Sequence, residues 1–241
     1  MTATTDEVLV KAQNVTKVYH TDEVATHALR GITTEVTAGE FLAIVGPSGS
    51  GKTTLLNLIG ALDAVTDGHL EVMGHNVARM SKRQRADMRL NQLGFVFQAY
   101  NLFPVLTAQE NVEFVLELQG VTDNRTERAR EALDQLGLLD FADRRPTQMS
   151  GGQQQRVAVA RAIASRPRLV LADEPSANLD GENARILLDM MHELNEQAGI
   201  TFVFSTHDPR VIAYARRVIT LVDGKIDTDV VKEREAMAEQ T

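Results

Sequence analysis

At 241 residues, with no cysteine and a formal net charge of −8, the chain is long enough for one large α/β domain with a substantial core, alone or with an inserted subdomain. The acid excess argues against broad binding to a nucleic-acid backbone, and the lack of cysteine fits a reducing cytosol. The first residues, Met-Thr-Ala-Thr-Thr-Asp-Glu, carry neither a basic start nor an apolar run, so no secretory signal is expected. No segment reaches the ~20 apolar residues that cross a bilayer, so any membrane role is expected to be peripheral.

Residues 1–90 read mainly as strands and turns. Among them, Phe-Leu-Ala-Ile-Val at 41–45 is a short apolar strand, and residues 54–62 carry leucines at helical spacing. Between the two lies Gly46-Pro47-Ser48-Gly49-Ser50-Gly51-Lys52-Thr53, followed by Thr54. It matches G-x-x-x-x-G-K-[ST] in the strand–loop–helix setting that this pattern needs. Glycines let the backbone wrap until its N–H groups point at phosphate oxygens. The helix starting near Gly51 adds its positive dipole end. Lys52 supplies a point charge for the outer phosphates, and the Thr53 hydroxyl is a ligand for Mg²⁺. The loop predicts a bound nucleoside triphosphate.

Residues 98–165 read as mostly helical, with an amphipathic stretch at 127–136. Inside this block, Ser150-Gly151-Gly152-Gln153 opens a helix that continues through 157–164. Ser150 is a good N-cap, and the two glycines leave the first N–H groups unshielded, which makes a second anion site or a plain capped helix. Strand signals return at 169–172, 201–204 and 218–222. Asp223-Gly224-Lys225 reads as a hairpin turn into one more strand, and the charged tail from Lys232 as a helix.

The strand at 169–172 ends on two consecutive carboxylates, Asp173 and Glu174. In an open α/β sheet the ligand crevice lies at the carboxyl ends of the strands. Asp173 is therefore expected to reach the Mg²⁺ region, through water, and Glu174 to orient or deprotonate an attacking water. Taken singly, Gln98, His207 and Tyr19 read first as a polar amide after a strand, a satisfied histidine and a packed aromatic.

As a set and in this order, the motifs resemble those of the ATP-binding subunits of ABC transporters. Residues 46–53 resemble Walker A, and residues 169–173 with Glu174 resemble Walker B and its catalytic glutamate. Met149-Ser150-Gly151-Gly152-Gln153 is similar to the family signature, with Met in place of the usual leucine. Gln98 matches the Q-loop glutamine, which in this family contacts the metal, residues 176–180 match the D-loop, and His207 matches the switch histidine. Tyr19 stands where the family places a ring that stacks on adenine. The resemblance implies an α/β P-loop fold with a mostly parallel sheet, an antiparallel N-terminal β part and an inserted helical subdomain. It implies one domain over 8–241, with a nucleotide core at 8–97 and 157–228, helices at 98–156 and a tail at 229–241. It further implies ATP and Mg²⁺ as ligands. The partners implied are a second copy of the chain, whose Ser150, Gly151, Gly152 and Gln153 complete the ATP site in trans, and integral membrane permeases. The implied location is peripheral, at the cytoplasmic face of the inner membrane, and no nucleic-acid partner is expected. The wording of residues 98–112 and 56–63 is most similar to the lipoprotein-release and macrolide-efflux branch. Importer, cell-division and soluble ABC-type ATPases are the alternatives.

Overall fold

The computed structural model describes residues 7–21 and 24–232. In chain order the strands and α-helices are β1 (Val8–Thr21), β2 (Val24–Thr37), β3 (Phe41–Val45), α1 (Lys52–Ile59), β4 (Asp67–Val72), β5 (His75–Asn76), α2 (Lys82–Gln92) and β6 (Leu93–Val96). They continue with α3 (Ala108–Leu118), α4 (Arg125–Gln135), α5 (Gly151–Ile163), β7 (Leu169–Asp173), α6 (Gly181–Ala198), β8 (Thr201–Ser205), α7 (Pro209–Tyr214), β9 (Arg217–Val222) and β10 (Lys225–Val231).

Two sheets form. The larger has the order β10-β9-β3-β8-β7-β6, and the smaller has the order β2-β1-β4-β5. From β9 to β6 every pairing in the larger sheet is parallel, and only β10 runs against its neighbour. The smaller sheet is antiparallel throughout. Strands buried on both faces read as continuous apolar runs, and residues 169–172 are such a run. Leu169 and Leu171 pack with α1 and the smaller sheet. Val170 and Ala172 face the other way, into the core shared with α3, α4, α5 and α6. That alternation, the two-residue period of a strand, repeats in β8: Phe202 and Phe204 join the helical side, and Val203 the other. Among the described residues, no helix is long and apolar enough to cross a membrane.

Three details depart from the sequence reading. Residues 82–92 form a helix inside the region read as strands and turns, and only Met88 of it is buried. The residues from 98 to 107 precede the first helix of the block rather than belonging to it. Asn111 explains this: fully buried, it accepts from the Phe103 N–H and donates to the carbonyls of Phe103, Leu106 and Thr107, occupying groups a helix would have paired. Strand β10 runs to Val231, so the first residues of the expected tail pair with β9. The helix expected from Lys232 falls mainly on residues 233–241, outside the described residues. The hairpin turn is present, with Asp223 and Gly224 both at positive φ.

Candidate active site

The phosphate loop leaves the carboxyl end of β3 and enters α1, whose N-cap, Gly51, offers no side-chain capping bond. The first N–H groups of the helix are thus left for a ligand. Two glycines are dictated by close approach. At Gly46, with φ +144°, an added Cβ would lie 2.1 Å from the Leu221 carbonyl oxygen and 2.9 Å from Ser50 Oγ. At Gly51, with φ +104°, it would meet the Ala28 carbonyl at 2.6 Å. The loop is thereby clamped between β2 and β9. Lys52 Nζ donates to the carbonyls of Gly46 at 2.9 Å and Pro47 at 3.0 Å, holding the ammonium inside the curl. Ser50 Oγ is buried with no hydrogen-bond partner among the described residues.

Across the sheet, β7 delivers Asp173, and the Thr53 hydroxyl donates to it at 3.1 Å. Glu174 follows with φ +48°, a left-handed conformation that a non-glycine residue adopts at some cost. Its backbone N–H donates to Ser205 O at 2.8 Å. Its carboxylate accepts from Thr206 Oγ1 at 3.1 Å and lies 2.6 Å from His207 Nδ1. The His207 side chain is 74% exposed and that of Glu174 only 17%. Glu174, His207, Lys52 and Thr53 line one cleft of about 560 Å³ together with the loop and residues 26–28 of β2.

Gln98 stands just beyond β6, and its carbonyl accepts from the Asn178 side chain at 2.9 Å, joining the expected Q-loop to the segment after Glu174. Tyr19 sits on β1 opposite Thr26, one strand from the cleft wall. Its hydroxyl donates to Asp63 Oδ2 at 2.9 Å, and Lys17 Nζ lies 4.7 Å from the ring centre. Burial, helped by the bond to Asp63, raises the phenol above its ordinary pKa. Ser150 caps α5 and forms a reciprocal capping box with Gln153. A Cβ on Gly152 would lie 2.6 Å from Asn183 Oδ1, so a glycine is what lets α5 approach α6 there. Ser150, Gly151, Gly152 and Gln153 are not part of the cleft wall around Lys52.

Sequence reasoning missed a buried polar set behind the carboxylates. Ser176 Oγ donates to Asp208 Oδ2 at 2.6 Å, and Arg210 grips the same carboxylate through Nε and a terminal nitrogen. Gln155 of α5 donates to the Pro175 carbonyl at 2.8 Å. The polar run after β8, Ser-Thr-His-Asp-Pro-Arg at 205–210, was the available signal.

For a divalent metal the donor set is a hydroxyl and a carboxylate, Thr53 and Asp173, and no cluster of three or more His, Cys, Asp or Glu exists among the described residues. Such a set fits Mg²⁺, which keeps several waters and takes the rest of its shell from phosphates.

The family model described as "ABC transporter" matches residues 29–177. The lipoprotein-releasing system ATP-binding protein LolD of Anaeromyxobacter dehalogenans is 47% identical over 222 residues, 91% of this chain and 93% of that one. The macrolide export ATP-binding/permease protein MacB of Syntrophobacter fumaroxidans is 44% identical over 224 residues, 92% of this chain; the chain spans only 31% of that relative's length. A solved dimer of the ATP-binding cassette MJ0796 of Methanocaldococcus jannaschii, in a post-hydrolysis state with ADP and Pi, superposes with a TM-score of 0.86 at 40% identity, covering 93% of this chain and 99% of that one. With that match spanning the phosphate loop, the Asp173–Glu174 pair and the Ser150 helix, the chain belongs to the ABC transporter family and is one of its ATP-binding subunits.

Proposed function

We propose that the chain binds and hydrolyses Mg²⁺–ATP to power a membrane transporter of the lipoprotein-release or macrolide-efflux type. The observation that carries this reading is the convergence of Lys52, Thr53, Glu174 and His207 on one cleft beneath a glycine loop. The loop N–H groups and Lys52 bind the phosphates. Thr53 and Asp173 would hold Mg²⁺, which when bound neutralises charge on the phosphate oxygens. Glu174 polarises the attacking water, His207 contacts the terminal phosphate, and Gln98 links the metal region to the helical block. Tyr19 supports the adenine from β1.

Because Ser150, Gly151, Gly152 and Gln153 are not among the residues walling the cleft, a second copy arranged head to tail supplies them to the phosphates. The dimeric cassette found among the structural neighbours supports this arrangement. The helical block carries the likeness to a permease contact. Residues 97–118 and α2 border an apolar groove of about 410 Å³ that includes Leu90, Phe97, Phe103, Phe114 and Leu118. Arg161 of α5 donates to the carbonyls of Tyr100 and Asn101, so the groove and the signature helix are mechanically joined. In this reading a cytoplasmic helix of a membrane partner docks there, and the chain works peripherally at the inner face of the inner membrane; the apolar lining of the groove supports it.

The test is Glu174→Gln. It is expected to retain ATP binding, accumulate an ATP-bound dimer and lose turnover by about 100-fold or more. Wild-type turnover in that variant overturns the assignment. Detergent pull-down from native membranes tests the partner: a permease with few spans and a large outer domain supports this branch, and a many-helix channel with a separate binding protein points to an importer.

A further inference from the structure

Resting on the reading of Glu174 as the water-activating group, we propose that Thr206 is a positioning residue that holds the Glu174 carboxylate in place once His207 has turned away from it. The two carboxylate oxygens of Glu174 have different partners. Oε1 lies 2.6 Å from His207 Nδ1, and Oε2 accepts from Thr206 Oγ1 at 3.1 Å. These partners differ in kind. The imidazole is largely in solvent, whereas Thr206 is fully buried at the end of β8. An exposed side chain at a loop is free to re-aim at a phosphate. A buried β-branched one is fixed at χ1 by its packing.

The polarity of the Thr206 bond is also fixed. The Asp208 backbone N–H donates to Thr206 Oγ1 at 3.0 Å. An amide N–H only donates, so that contact occupies a lone pair of the hydroxyl and leaves its single proton for Glu174. Asp208 is itself anchored by Ser176 and by the Arg210 fork. Thr206 is therefore the end of a buried, directed chain of hydrogen bonds that terminates on Oε2. When His207 moves to the terminal phosphate, Oε1 is released to accept from the attacking water, and Oε2 stays where Thr206 holds it. Without that anchor, a Glu174 whose backbone is already in a strained conformation samples several rotamers. Misplacing a reacting group by about 1 Å costs on the order of 100-fold.

The experiment compares Thr206→Val, nearly isosteric but without the hydroxyl, with Thr206→Ser, which keeps it. Steady-state ATP hydrolysis is measured over a range of ATP concentrations. Thr206→Val is expected to lower kcat about 10- to 100-fold with KM for ATP within about 2-fold, and Thr206→Ser to recover to within about 3-fold of wild type. Wild-type kcat in Thr206→Val, or a loss confined to KM, overturns the proposal, as does a Thr206→Ser variant as slow as the valine one. If valine leaves the chain unfolded, Thr206→Ala is read against Thr206→Ser by the same criteria. Glu174→Gln separates the two levels. Turnover in that variant at the wild-type rate overturns the reading of Glu174, whereas a dead Glu174→Gln beside a fast Thr206→Val overturns the Thr206 proposal alone.

Discussion

The Thr53 hydroxyl lies 3.1 Å from Oδ1 and 3.3 Å from Oδ2 of Asp173, joining the first turn of α1 to the end of β7 although 120 residues separate them in the chain. A hydroxyl pointed at a carboxylate across a crevice, beneath a phosphate loop, is the pair of hard oxygen ligands that the proposed Mg²⁺ site requires. Asp173→Asn keeps a partner for Thr53 and removes the charge. Phosphate release measured across a Mg²⁺ titration is expected to fall on the order of 100-fold at saturating metal, and a chelator is expected to stop turnover in the wild type. Unchanged turnover in Asp173→Asn removes this residue from the metal site.

Tyr19 is held from two sides, by Lys17 against the ring and Asp63 on the hydroxyl. Lys17 is itself nearly buried, donating to Asp63 Oδ1 at 2.7 Å and to the Ala64 carbonyl at 2.8 Å. A ring fixed in this way suits the proposed stacking on adenine. Aromatic stacking on a base contributes about 1–3 kcal/mol, so Tyr19→Ala should raise KM for ATP about 10-fold and leave kcat nearly unchanged. Tyr19→Phe, which keeps the ring, should stay within about 3-fold of wild type. Equal KM values for Tyr19→Ala and wild type would make the ring a packing element only.

What the sequence disclosed and what it hid divide along a physical line. The phosphate loop, the strand that ends on Asp173 and the cap at Ser150 are local constructions: a spacing, a burial pattern and a capping residue suffice to recognise them. Helix α2 was hidden because Lys-Arg-Gln-Arg-Ala-Asp-Met-Arg-Leu-Asn-Gln buries only Met88 and so has no apolar stripe. Its one legible signal was the Ser81–Gln84 capping box. The partnership of Thr206 with Glu174 is of the other kind. It exists because β7 and β8 run parallel with Asp173 opposite Ser205, and no local pattern encodes which strands become neighbours. The same holds for Tyr19 and Asp63, 44 residues apart.

The apolar groove beside α2 and α3 leaves large side chains in water: Phe103 is 43% exposed and Leu118 57%. Exposed apolar surface gathered at one place marks an interaction site. Leu118→Asp places a charge at its rim without touching the nucleotide cleft. Turnover of the isolated chain is expected to stay within about 2-fold of wild type, while co-purification of the membrane partner in detergent is lost. A variant that still brings down its partner at the wild-type yield shows that the contact lies elsewhere.

Asp208 gives the site a predictable acid sensitivity. Burial alone would raise its pKa, but hydrogen bonds from Arg210 and then Ser176 outweigh it and hold the carboxyl below its ordinary value. A carboxylate held low in the folded chain stabilises the fold fully above the unfolded-state pKa, about 3.9. That contribution is lost as pH falls through the unfolded value and then the folded one, because the unfolded state takes up the proton first. Asp208→Asn cannot ionise, so it lacks the charge-assisted bonds to Arg210 at every pH. At pH 7 it should be less stable than wild type by about 2 kcal/mol, the scale of hydrogen bonds to a charged group. The gap in Tm between the two chains should hold down to about pH 5 and narrow steadily below about pH 4. Thermal melts from pH 7 to pH 3 check this, and a gap that is constant or widens on acidification would show that Asp208 is not held as an anion by Arg210.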